Sequence, residues 1–355
     1  MTTLKKKIEK IILEKGPISI ANFMKLALTD KKNGYYRKKM PLGSKGDFIT
    51  SPDVSQIFGE IIGVWILDLW IKLGKPKETQ IVDLGGGRGT LLSDIRRVIN
   101  NKINNYIFID INIELIKLQK QAVRNALHFE KIEDIPKKPT IFIGNEFLDT
   151  FPINQFILSD KYFKEVCIDY KNQKLTFIHQ RTKLSRILDK KKLNQIKVND
   201  ILEINFESRK FIEKLSKFIK ENDGGAIFFD YGYTFNHGNT LQAIKGSKFV
   251  SPLDNPGTAD LSAHVDFKDI SNEAKNNSVC VWGPDTQSTF LKKMGAIERL
   301  NVLESISDDS TKKELRIGLN RLINTDEMGE LFKVLAITSN KFPSPEGFTC
   351  GTRGT

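Results

Sequence analysis

Residues 80–90 read QIVDLGGGRGT: a short apolar run meets four glycines within five positions and then enters TLLSDIRRVI, which has helical spacing. Few folds accommodate such a turn. A strand that passes into a helix through glycine lets the backbone come close to a ligand, and the first N–H groups of the helix point at it. This feature predicts a parallel α/β sheet that holds a ligand at the carboxyl end of a strand.

The rest of the chain carries the matching pattern. Apolar strands are expected at 80–84, 106–110, 140–144 and 226–231, with a weaker one at 127–132 and later ones at 279–282 and 332–338. Helices at 90–99 and 113–126 alternate with the first of these, the arrangement of a doubly wound, Rossmann-like α/β fold. Ahead of the sheet, helices over 3–15, 20–28 and 54–73 predict an N-terminal helical cap with an active-site loop, spanning 1–75. The sheet domain is expected over 76–355. Between about 156 and 222 the alternation lapses, with a hairpin expected at 162–179 and a helix at 210–220, and this stretch reads as an insertion after the fourth strand.

The glycine spacing narrows the ligand. Gly85, Gly87 and Gly89 form G-x-G-x-G, whereas a dinucleotide fingerprint would place its third glycine at position 90, where Thr90 stands. Asp83 precedes the turn, and a carboxylate there pairs with the ammonium of S-adenosylmethionine. A nicotinamide dinucleotide has no such group. Asp110, 21 residues beyond Gly89, ends the second strand and can accept hydrogen bonds from ribose hydroxyls of either cofactor. S-adenosylmethionine is the expected cofactor, which makes a methyltransferase the expected enzyme.

At the end of the 140–144 strand, Asn145 and Glu146 should face the crevice of the cofactor, with Asn145 counted among the cofactor-binding residues. Glu146 and Asp149 could hold a cationic acceptor. An arginine guanidinium is charged at any working pH, and carboxylates would orient one nitrogen toward the sulfonium methyl. Helix capping is the other role open to Asp149. His264 and Asp266 form a second polar cluster that could relay a proton, although Asp266 could equally be an N-cap.

The net charge of +12 comes from lysines spread through the chain, so no nucleic-acid partner is expected. No apolar run is long enough for membrane insertion. The three cysteines lack ligand spacing, and neither a metal site nor a disulfide frame is expected.

Successive segments resemble the MidA-like methyltransferases: GPISIANFMKLAL and NGYY near the start, GDFITSPDVSQIFGE at 46–60, then DLGGGRGTLLSDI, NEFLDTFPINQF, FFDYGY, TLQA, PGTADLSAHVDF, GPDTQSTFLKKMG and MGELFKVLAI. That family includes a mitochondrial assembly factor that methylates an arginine of a complex I subunit. Its first motif reads E-L-G-P-G-R-G, so this chain departs at Asp83 and Gly86. It departs also at Asp110, where glutamate is more common, and near Ser247, where the family has histidine.

The resemblance implies a class I methyltransferase that binds S-adenosyl-L-methionine through Asp83, Gly85, Gly87, Gly89 and Asp110, with Glu146 and Asp149 serving the arginine. It implies protein arginine N-methylation of a subunit of complex I (NADH:ubiquinone oxidoreductase), or its bacterial counterpart, during assembly. A homodimer is the expected association, and the loop at 46–52 is expected to close over the cofactor. Because the N-terminal helix opens the similarity with no leader, a bacterial cytoplasmic location is expected in preference to the mitochondrial matrix. The competing expectation is a non-catalytic assembly chaperone that uses the cofactor fold as a scaffold.

Overall fold

The computed structural model describes residues 3–38, 49–159, 162–182, 197–234, 238–341 and 344–352. They fall into two compact units interleaved along the chain. One draws on 1–41, 149–210 and 235–264, the other on 42–148, 211–234 and 265–355.

The second unit is built on one sheet whose described strands are β1 (Gln80–Leu84), β2 (Asn105–Ile109), β3 (Leu127–Phe129), β4 (Thr140–Asn145), β5 (Gly224–Tyr233), β6 (Val265–Asp266), β7 (Cys280–Thr286), β8 (Phe332–Thr338) and β9 (Gly351–Thr352). Their order is β3-β2-β1-β4-β5-β8-β7-β9, with β6 paired to β5. The run from β3 to β5 is parallel, and β8, β7 and β9 continue it antiparallel. β1 and β4 are buried along their whole length, as strands covered on both faces are, which is why they read as continuous apolar runs. The doubly wound α/β sheet expected from the sequence is the one observed.

Strand order reverses between β1 and β4. At such a switch point the following connections leave in opposite directions and open a crevice at the carboxyl ends. Helices Gln56–Lys72 and Thr90–Ile99 pack in this unit through buried Phe58, Trp65, Leu92 and Ile95. They approach closely because Gly63 lacks a side chain: a Cβ there would lie 2.9 Å from Val98 Cβ. Phe58 meets Phe229 edge-on at 5.0 Å, and Phe229 meets Phe290 at 5.4 Å.

The helix expected over 54–73 is observed at Gln56–Lys72, and a further short helix, Ser51–Val54, precedes it. Ser55 is extended (φ −156°, ψ 132°), and its hydroxyl accepts the Ile57 N–H at 3.3 Å. A serine that caps one helix terminates the one before it.

In the first unit the strand order is Ile18–Ser19, Phe163–Lys171, Asn154–Leu158, Ile201–Ile204, with Lys174–Arg181 on the other side of Phe163–Lys171. The expected hairpin turns at Asn172 and Gln173, both left-handed (φ 49° and 61°), as a two-residue connection requires. Helices Thr3–Lys15 and Ile20–Thr29 bury Leu4, Ile8, Ile12, Phe23 and Met24 in this unit's core. No helix among the described residues is long and apolar enough to cross a membrane.

Phe58 is fully buried against the Phe229 ring. Phe58→Ala should therefore cost about 3–5 kcal/mol of unfolding free energy in a denaturant titration, and a loss below about 1 kcal/mol would show that this core does not depend on the ring.

Candidate active site

Parallel register aligns side chains across the sheet. Asp83 is opposite Phe108 on β2 and Ile143 on β4, and Asn145 is opposite Phe229 on β5. Paired residues, and residues two apart on a strand, share a face, so Asp83, Phe108, Asn145 and Phe229 lie on the same side of the sheet. Asp110 follows one residue beyond β2.

The turn after β1 is held by its own backbone. Gly85 N–H donates to the Ile109 carbonyl at 2.9 Å, Gly87 N–H to Gly85 O at 2.7 Å and Gly89 N–H to Gly86 O at 2.8 Å. Gly85, Gly87 and Gly89 all have positive φ (65°, 52° and 86°), where a side chain is strained. Gly86 is required for a different reason: a Cβ there would stand 2.5 Å from the Phe108 ring and 2.7 Å from Asp83 Oδ2.

Asp83 is 1% exposed, and its Oδ2 finds no donor among the described residues. Burial, and next the charge of Asp110, lift its pKa to about 8. Asn145 at the end of β4 is also buried, and its Oδ1 likewise lacks a donor. Gln119, which sequence reasoning passed over, lies fully buried on helix Ile113–Ala122. Its Nε2 donates to the Gly87 carbonyl at 2.9 Å and to Asp110 Oδ2 at 2.7 Å. Asp110 Oδ1 accepts the Asn112 N–H at 2.8 Å. Glutamine at helical spacing reads as solvent-facing, and only the approach of the glycine turn gives it this role.

Beyond β4, Glu146 is left-handed (φ 49°), a conformation that costs a residue with a side chain about 1–3 kcal/mol. Its Oε1 accepts from Asn145 Nδ2 at 3.4 Å and from Ser51 N–H at 3.3 Å. The Phe147 and Leu148 N–H groups both donate to Asp230 Oδ2, at 3.1 and 2.8 Å. Helix Ser51–Val54 also reaches the cofactor turn, since Thr90 Oγ1 donates to Asp53 Oδ1 at 3.1 Å. Neither Asp230 nor Asp53 was singled out from the sequence.

Asp149 belongs to the first unit, where it is buried and its carbonyl accepts the Ala263 N–H at 3.0 Å. There Tyr36 donates to Asp260 at 2.6 Å, and burial together with the charges of Asp260 and Asp149 pushes this phenol well above its ordinary range. His264 is in the same unit, with its N–H donating to Thr240 Oγ1 at 2.9 Å. Thr240 in turn donates to buried Glu203. Asp266, in the second unit, caps helix Phe267–Asn276 through the Asp269 N–H at 3.0 Å. Of the loop expected at 46–52, residues 46–48 lie outside the described residues.

The description of a family of S-adenosyl-L-methionine-dependent methyltransferases matches residues 61–284. The chain belongs to this family. It is 36% identical to protein arginine methyltransferase NDUFAF7, mitochondrial, of Danio rerio, across 92% of this chain and 84% of the relative. It is 33% identical to the Homo sapiens protein of the same name, across 91% and 80%. A solved structure from Burkholderia thailandensis, bound to S-adenosyl-homocysteine, superposes with a TM-score of 0.85 at 20% identity, covering 97% of this chain and 93% of that one, and shows the same fold.

The bacterial cytoplasmic location expected from the N-terminus is thereby corrected, because these relatives are mitochondrial by name. The expectation rested on how the N-terminal helix begins. That helix is amphipathic because it packs into a core, and packing carries no information about compartment.

The residues present fit the cofactor of the methyltransferase family. The carboxylate oxygen of Asp83 and the amide oxygen of Asn145, both buried and without donors among the described residues, suit a ligand that carries an ammonium and hydroxyls.

Two predictions follow from Asp83 and Gln119. In the folded enzyme Asp83 keeps its proton to about pH 8, against an ordinary value of 3.8, so the folded state holds the extra proton between these limits. Stability must then fall as pH rises through that window. Asp83→Asn should flatten the decline in unfolding free energy measured from about pH 5 to pH 8, and an unchanged slope would contradict the assignment. Gln119→Leu removes two hydrogen bonds, one of them to a carboxylate, and should raise the KM for S-adenosylmethionine about tenfold with little change in kcat; an unaltered KM would remove Gln119 from the site.

Proposed function

We propose that this methyltransferase methylates an arginine of a protein subunit of respiratory complex I during assembly. The reading is carried by near full-length similarity, at 31–36% identity, to relatives named protein arginine methyltransferase. Bound S-adenosylmethionine would supply an electrophilic methyl group on a sulfonium.

The chain's own residues account for the rest. Asp83 takes the ammonium, a cation beside it favouring loss of its proton, Asp110 takes the ribose hydroxyls, and Gly85, Gly87 and Gly89 leave the backbone bare for the cofactor, with Asn145 beside them. The Glu146 carboxylate suits a planar guanidinium, which a carboxylate engages through two N–H donors, fixing its plane and leaving the remaining nitrogen to be aimed. Asp149 is assigned to the guanidinium by its place three residues beyond Glu146 and by the resemblance. Nucleophilic displacement at a methyl group needs alignment more than covalent help from the protein, and alignment is what such a clamp contributes.

The test is transfer of labelled methyl from S-adenosylmethionine to complex I subunits prepared from cells lacking the enzyme, followed by hydrolysis to amino acids. Label should appear in methylarginine. Glu146→Gln should lower kcat about 100-fold while leaving the Kd for S-adenosylmethionine within about twofold. Label in methyllysine or in nucleotides would overturn the reading. Normal complex I assembly by a Glu146→Gln enzyme that transfers no methyl would favour a non-catalytic chaperone.

A further inference from the structure

Consecutive side chains of a strand point to opposite faces, so a plain continuation of β4 would send Asn145 and Glu146 apart. They are not apart: Asn145 Nδ2 donates to Glu146 Oε1 at 3.4 Å. The left-handed conformation of Glu146 reverses its side chain and makes this contact possible.

Two consecutive residues of β5 hold that bend. The Phe229 carbonyl accepts the Glu146 N–H at 2.8 Å, carrying the parallel ladder one step beyond β4. Asp230 then takes the next two N–H groups, those of Phe147 and Leu148, on a single carboxylate oxygen, while its Oδ1 accepts its neighbour Tyr231 N–H at 3.1 Å. Three successive backbone donors are thereby engaged by two successive residues. Asp230 is 1% exposed, and hydrogen bonds from backbone N–H groups to a buried carboxylate are stronger than those to a neutral acceptor.

We propose that Asp230 is a positioning residue for methyl transfer: by clamping the backbone of Phe147 and Leu148 it keeps Glu146 in the reversed conformation that presents its carboxylate beside Asn145. This rests on the reading of Glu146 as the carboxylate that faces the guanidinium. Asp230 itself touches neither substrate nor cofactor in this scheme.

A double-mutant cycle on the full-length protein tests it, with labelled transfer to complex I subunits from cells lacking the enzyme and calorimetric binding of S-adenosylmethionine. D230A should lower kcat about 50-fold and leave the cofactor Kd within about twofold. D230N, whose amide oxygen still accepts both N–H groups, should stay within about fivefold of wild type. In an E146Q background D230A should cost less than a further threefold or so, since a residue that acts through Glu146 has nothing left to position.

Losses that multiply across the cycle would overturn the proposal while leaving the Glu146 reading intact. A wild-type rate for E146Q would overturn the Glu146 reading and this proposal with it. If D230A does not fold, the D230N cycle decides by the same comparison, and multiplicative losses again overturn the proposal.

Discussion

A carboxylate with an unsatisfied oxygen at the end of a fully buried strand is the feature on which the rest of the second unit depends. Removing such a group from water is costly, and here the cost appears as a proton retained to about pH 8. The sheet bears it because β1 lies between β2 and β4, both parallel to it, with Phe108 packed against the turn. A surface strand would turn the acid outward instead. Gln119 extends the same rigidity to Asp110, tying the second acid to the Gly87 carbonyl, so the two carboxylates are fixed relative to each other before any ligand arrives.

The far end of β4 is organised by different means. There the backbone itself is bent, at Glu146, and β5 supplies the acceptors that hold the bend. Helix Ser51–Val54 joins the two sides through short bonds, Ser51 N–H to Glu146 and Thr90 to Asp53. Thr90 opens the helix that follows the glycine turn. A displacement of that turn is therefore felt at Glu146 through a path of two side-chain hydrogen bonds and three intervening residues. Strain of this kind persists only where the surroundings over-determine it, and here three backbone donors and two side-chain contacts do so.

What could be read from the sequence was what is local. The glycine turn, the acid before it, the acid ending the next strand and the apolar strands all announce themselves within a few residues, because strand burial and turn geometry impose residue types at fixed spacing. Asp230 and Gln119 were not legible for the opposite reason. Asp230 acts on backbone 82 and 83 residues away, and Gln119 is buried only because a distant turn covers it. The short helix Ser51–Val54 was missed because Ser-Pro-Asp-Val carries no helical apolar pattern.

The two departures from the family's first motif, Asp83 and Gly86, meet in space. Glutamate and proline are usual where this chain has Asp83 and Gly86. Here the shorter acid draws its carboxylate back, so that Oδ2 would be 2.7 Å from any Cβ at position 86, and the Phe108 ring fills the other side at 2.5 Å. Proline, whose ring adds atoms beyond Cβ, does not fit in that arrangement. The loss of proline's rigidity is offset within the turn by the Gly87-to-Gly85 and Gly89-to-Gly86 bonds and from outside by Gln119 on the Gly87 carbonyl. Gly86 is thus held to glycine by the Phe108 ring first and by Asp83 second, while Gln119 on the neighbouring helix stiffens the turn from outside.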